Sequence, residues 1–156
     1  MRMNKHLQKI GFVLILMLIT FWIAMVPIAR VDGFNVFPWL DIPFHLWGGF
    51  LLGLIATRVI YLLENNRYNG RKFIKRGNSD YAFKFLRFIM VFVFIFGLFW
   101  EVWEYWMYVS GHVPKWGGVM DTIKDLFDDL VGGVIAYQYN IKTINKNSES
   151  KKEKDF

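Results

Sequence analysis

No cysteine occurs among the 156 residues, which excludes disulfides, thiolate metal sites and a cysteine nucleophile. No internal repeat is evident, and neither Ser110 nor Thr122 sits in a recognisable nucleophile setting. Charge is missing from residues 10–29, twenty positions in a row, about enough to span a ~30 Å hydrocarbon core. That run is too long for a usual signal core, and Pro27-Ile28-Ala29-Arg30 is a poor cleavage site, so a retained anchor is expected.

What is present is apolar and aromatic. Hydrophobic residues make up 54% of the chain and aromatics 19%, with sixteen phenylalanines, the composition of a membrane protein. The net charge of +6 would point to nucleic acid in a soluble protein, but the basic residues are patterned differently. Arg2, Lys5 and Lys9 precede the first apolar run; Arg67, Arg71, Lys72, Lys75, Arg76, Lys84 and Arg87 lie between the second and third. Lys142, Lys146, Lys151, Lys152 and Lys154 follow the last, and the other connections hold only Arg30, Lys115 and Lys124. This alternation is the positive-inside pattern, and it predicts an all-α integral membrane four-helix bundle with both termini cytoplasmic. The basic clusters then meet anionic inner-leaflet lipids and not nucleic acid.

The helices are expected over residues 7–29, 41–63, 81–109 and 120–141. Asn65-Asn66, Asn69-Gly70 and Gly77-Asn78 mark turns between the second and third. The transmembrane domain is expected to occupy residues 1–144, and the polar, basic residues 145–156 a disordered cytoplasmic tail. The last two helices reach spanning length only if their acidic ends are counted, the alternative for the last being an interfacial or re-entrant segment. Trp39, Trp47, Trp100, Trp103, Trp106 and Trp116 fall near the external ends, as an interfacial belt would.

Those external ends also collect seven of the thirteen acidic residues: Asp41, Glu101, Glu104, Asp121, Asp125, Asp128 and Asp129, with His45 beside the first. Fourteen residues separate Arg87 from Glu101, ~21 Å at 1.5 Å each. Thirteen separate Asp129 from Lys142 and thirteen His45 from Arg58, ~20 Å each. Glu101, Asp129 and His45 therefore share one level in the outer half, with Glu104, Asp125 and Asp41 about a turn further out. Asp41, His45, Gly49 and Gly53 line one helix face; Gly97, Glu101 and Glu104 line another; Asp121, Asp125 and Asp129 lead into Gly132, Gly133 and Ala136. Acidic residues thus share faces with residues suited to close helix packing and should point inward.

Asp41 and Asp121 can equally be helix caps, Asp128 reads as solvated, and His45 alone could be a satisfied core histidine. Arg30, Lys115 and Lys124 cannot neutralise the rest, so the excess is protonated, hydrated or bound to cations. Carboxylates with one imidazole suit Zn²⁺, Mn²⁺, Mg²⁺ or Ca²⁺. The expected divalent-ion ligands are His45, Glu101, Asp125 and Asp129, with Asp41 and Asp121 weaker, and Glu104 is the expected general base. Gly49-x-x-x-Gly53 and the Phe-rich third helix offer faces for a homo-oligomer.

Asp41-Ile-Pro-Phe-His45, Trp100-Glu101-Val-Trp-Glu104 and the run from Asp121 through Asp125, Asp128 and Asp129 to Gly132 together resemble the YjdF-like family of small bacterial membrane proteins. The resemblance implies a bacterial cell membrane, and it supplies no reaction. The chain is more distantly similar to VanZ-like proteins, which are associated with glycopeptide resistance at the envelope. It departs from their pattern with Ile42 for a Lys, Glu104 for a Gln and Asp129 for an Asn, each change making the site more acidic. Two function classes follow. One is a metal site acting on a lipid or lipid-linked envelope substrate. The other is a non-enzymatic cation- or lipid-binding membrane factor, or an oligomeric ion transporter.

Overall fold

The structure is a computed structural model that describes residues 12, 15, 16, 19, 20, 39, 41–67, 79–112 and 117–154, without the side chains of 61–67, 79–81 and 143–154. All regular structure among these residues is helical. The three long helices are α1 (Asp41–Arg67), α2 (Ser79–Val109) and α3 (Val119–Lys154). The expected first helix lies outside the described residues except at five positions, all of them helical. There Thr20 Oγ1 donates to the Leu16 carbonyl at 2.7 Å. Arg30, Lys115 and Trp116 also lie outside the described residues.

Two helices are long and apolar enough to cross a membrane: Asp41–Ile60, with mean hydropathy 1.3, and Ala82–Val109, with mean hydropathy 2.2. α3 does not qualify, because its first turns carry four aspartates and its last turns are polar. One expected turn is corrected: Asn65-Asn66 lies within α1, which continues through Arg67. α3 runs through Lys154. Both extents follow from cooperativity: an established helix adds each further residue without a new nucleation cost, and Lys and Glu are good helix formers.

The helix ends show why the chain turns where it does. α2 closes with a Schellman arrangement: the Gly111 amide donates to the Tyr108 carbonyl at 3.0 Å and the His112 amide to the Met107 carbonyl at 2.9 Å. Gly111 takes φ 74°, the left-handed conformation this cap favours. At the start of α3 the amides of Asp121 and Thr122 both donate to the Gly118 carbonyl at 3.1 Å. Gly118 therefore opens the helix, and Asp121 sits inside its first turn instead of at the cap.

α3 packs most extensively on α1, and the contact is backbone to backbone. A Cβ at Gly49 would overlap the Asp129 backbone, and one at Gly132 would overlap the Leu46 carbonyl. A Cβ at Gly53 would stand 2.6 Å from that of Ala136. The Gly49-x-x-x-Gly53 face thus packs against α3 within the chain. α2 lies against α3 through Val93 and Gly97 and also touches α1. The apolar core sits towards the far end of the helices from the acidic residues, around Ala56, Phe85, Ile89 and Val93. Most of the remaining surface of α2, including Phe94, Phe96, Phe99 and Val102, is exposed.

One polar link crosses this region. Asn140 Nδ2 donates to Thr57 Oγ1 at 3.0 Å and to the Ala136 carbonyl at 2.8 Å, while the Thr57 hydroxyl donates to the Gly53 carbonyl at 2.9 Å. Both side chains are buried. Thr57→Val removes the interhelical acceptor and is expected to cost about 1 kcal/mol, read as a lowered unfolding midpoint in detergent. An unchanged midpoint would show that this bond does not hold α1 to α3.

Candidate metal centre

The close contact at Gly49 and Gly132 decides what happens one turn further out. His45 precedes Gly49 by four residues, and Asp125 and Asp129 precede Gly132 and Gly133 by seven and four. Where the backbones touch, these side chains have no room to turn away and meet between the helices. His45 is 9% exposed, Asp125 2%, and Asp129 and Glu101 each 5%.

His45 lies at the centre. Its Nε2 is 3.5 Å from Asp41 Oδ1 and 3.8 Å from Asp125 Oδ2, and its Nδ1 is 3.4 Å from Asp129 Oδ1. All three distances exceed those of ordinary hydrogen bonds, ~2.7–3.2 Å. The two at Nε2 lie close to the ~3.3–3.6 Å edge of a tetrahedron of ligands ~2.0–2.2 Å from a shared ion. Asp41, His45 and Asp125 each offer one ligand atom, all within 4.8 Å of one another, and this group could hold a metal ion. Asp129 meets the opposite ring nitrogen, where a carboxylate orients a metal-bound histidine.

The other oxygens of the two aspartates face Lys124. Its Nζ is 2.8 Å from Asp41 Oδ2, 2.9 Å from Asp125 Oδ1 and 3.0 Å from Asp121 Oδ1. The contact with Asp125 Oδ1 is an ion pair without hydrogen-bond alignment, so that buried oxygen has no hydrogen-bond partner among the described residues. Lys124 is 39% and Asp121 44% exposed, and they form the outer edge of the cluster.

α2 closes the third side. Thr122 Oγ1 donates to Glu101 Oε2 at 2.8 Å, while Glu101 Oε1 is buried with no hydrogen-bond partner among the described residues. One turn back, Gly97 gives Asp129 room: a Cβ there would stand 2.6 Å from Asp129 Oδ2. Glu104 is half-buried and has no hydrogen bond or ion pair among the described residues. Asp128 is half-buried, and its Oδ2 is also without a hydrogen-bond partner among them.

The residues singled out from sequence therefore gather, in an order the sequence did not rank. Asp41 joins His45 and Asp125 in the inner group. Asp129 serves the far side of the imidazole, Glu101 binds Thr122, and Asp121 binds Lys124. The pairing of Lys124 with three aspartates and the Thr122 bond were missed. A signal for Lys124 was there: it stands three residues after Asp121 and next to Asp125, so it shares their end of α3.

Comparison with known proteins fits this picture of apolar helices around a polar centre. The chain belongs to the family described as "Predicted membrane protein (DUF2238)", whose model matches residues 8–146. This is consistent with the YjdF-like resemblance; the VanZ-like resemblance rests on the sequence alone. Neither the curated proteins nor the solved structures contain a match.

Proposed function

We propose that this chain is a multi-pass protein of the bacterial cell membrane that binds one divalent cation at Asp41, His45 and Asp125, with Asp129 orienting the imidazole. The bundle in this reading has four antiparallel helices and cytoplasmic termini, so the cluster opens outward. The observation that carries the reading is the division of labour at His45: two carboxylates offer one oxygen each beside Nε2, and a third faces Nδ1. Charge supports it. Among the described residues, seven carboxylates gather at this end around one lysine and one imidazole, which pair only with Asp41, Asp121, Asp125 and Asp129, and buried charge without compensation is costly.

A divalent ion at this place would polarise a phosphoryl or carbonyl oxygen or activate water, with Glu104 available as base. Exposed Trp39, Trp47, Trp103 and Trp106 surround the same end of the helices and suit a lipid or lipid-linked substrate at the interface. Burial of His45 and Asp125 favours a second reading, in which the protein binds a cation or lipid without chemistry. Turnover of lipid-linked phosphates or esters by the metal-loaded protein separates the two.

Elemental analysis of the detergent-purified chain is expected to find about one divalent ion per chain. Asp129→Asn should weaken binding by about 10- to 100-fold, the usual effect of losing a carboxylate behind a ligating histidine. Metal-free native protein that also fails to take up Mn²⁺, Zn²⁺, Mg²⁺ or Ca²⁺ on titration would refute the site.

A further inference from the structure

Lys124 does more than neutralise charge, because of the oxygens it selects. Asp41 gives Oδ2 to the ammonium and Oδ1 to the side of His45 Nε2; Asp125 gives Oδ1 to the ammonium and Oδ2 to the side of Nε2. Both carboxylates therefore face Lys124 with one oxygen and His45 with the other, as a bridge between two cations would. Carboxylates bridge the two ions of binuclear centres in this way, with the ions ~3.5–4 Å apart. On the outer position Asp121 Oδ1 supplies a third oxygen.

We infer that the Asp41–Asp121–Asp125 oxygens form a second cation subsite, which the ammonium of Lys124 fills from within the chain. The inference rests on the proposed metal centre and extends it. Three observations support it. A cation already sits there, 2.8–3.0 Å from three carboxylate oxygens. Asp125, 2% exposed, aims Oδ1 into the subsite, where it meets the ammonium at 2.9 Å as an ion pair and has no hydrogen bond. Lys124 and Asp121 are the partly exposed members, so an incoming ion would reach this position first. The consequence is a fixed stoichiometry: the tethered charge prevents a second metal ion from binding beside the first.

The test counts Mn²⁺ per full-length chain in detergent, using the metal alone, for the native protein, Lys124→Met and Lys124→Arg. Met keeps the length and apolar stem of the side chain and removes its charge; Arg keeps the charge. Gel filtration and circular dichroism establish that each variant is folded, and Lys124→Ala replaces Lys124→Met if the latter is not. Native protein and Lys124→Arg are expected to bind one ion and Lys124→Met two, with the pair giving the exchange-coupled paramagnetic spectrum of neighbouring Mn²⁺ ions. One ion in all three would overturn the inference and leave the metal centre standing, as would loss of binding in folded Lys124→Met. No ion in the native protein with one in Lys124→Met would refute the native metal centre while upholding the lysine as a stand-in cation. No ion in any of them would refute both.

Discussion

Asp125→Asn is expected to be recovered folded but without the divalent ion of the native chain, its affinity lowered by more than ~100-fold. The loss should exceed that from Asp129→Asn, for which ~10–100-fold is usual, because Asp125 offers an oxygen on the metal side of the imidazole and is nearly sealed from solvent. Asp121→Asn is the contrast. Its carboxylate meets Lys124 at the exposed rim, and its removal should change affinity by less than about tenfold, since exposed ion pairs contribute only ~0–1 kcal/mol. Stability should move in opposite directions with and without metal. In metal-free protein the Asn variant relieves carboxylate repulsion and should unfold at a higher temperature than the native chain. With excess Mn²⁺ the order should reverse, because only the native chain gains the binding free energy. Thermal scans of both proteins, with chelator and with Mn²⁺, make the comparison. A variant less stable than native under both conditions would mean that Asp125 holds the fold, not an ion.

Much of this arrangement was legible from residue order, and the reasons differ by level. Helices were readable from apolar runs and turn residues. The gathering of the acids at one end was readable because helical rise is nearly constant, but only to about a turn: Asp129 lies beside Gly97, while Glu101 bonds Thr122 and stands further out than counting from Arg87 places it. Facing was readable where acids and glycines recur at four-residue spacing, as at Asp41, His45, Gly49 and Gly53. Side-chain pairing was not, because it depends on distances between helices and on rotamers, which one sequence does not encode locally. Asp41 illustrates this. As an Asp at a helix start it satisfies the capping preference, yet its carboxylate engages His45 and Lys124 across to α3. The polar link between Thr57 and Asn140 was missed for the same reason: neither residue stands out until α1 and α3 are in contact.

The small-residue seam between α1 and α3 sets how far His45 stands from Asp125 and Asp129, and substitutions along it should differ in a way that only this geometry explains. Gly53→Ala should cost about 1–3 kcal/mol, the usual range for overpacking, because its new methyl group meets the methyl group of Ala136. Gly53→Ala with Ala136→Gly should recover most of that loss, since the swap restores one methyl group to the pair. Gly49→Ala should be worse than Gly53→Ala and beyond rescue from the opposite side. There the obstacle is the Asp129 backbone, which no substitution can shorten. To admit the methyl group, α1 and α3 must separate at the level immediately below His45. The imidazole then leaves Asp125 and Asp129 together, and Mn²⁺ affinity should fall in parallel with the unfolding midpoint. Gly53 lies a turn deeper, so Gly53→Ala should lower the midpoint while affecting affinity less. Unfolding and Mn²⁺ titration of the three variants decide the matter. Rescue of Gly49→Ala by a smaller residue at position 129 would refute the backbone contact. Unchanged Mn²⁺ affinity in Gly49→Ala, despite a lower midpoint, would show that the seam supports the fold without setting the geometry of the centre.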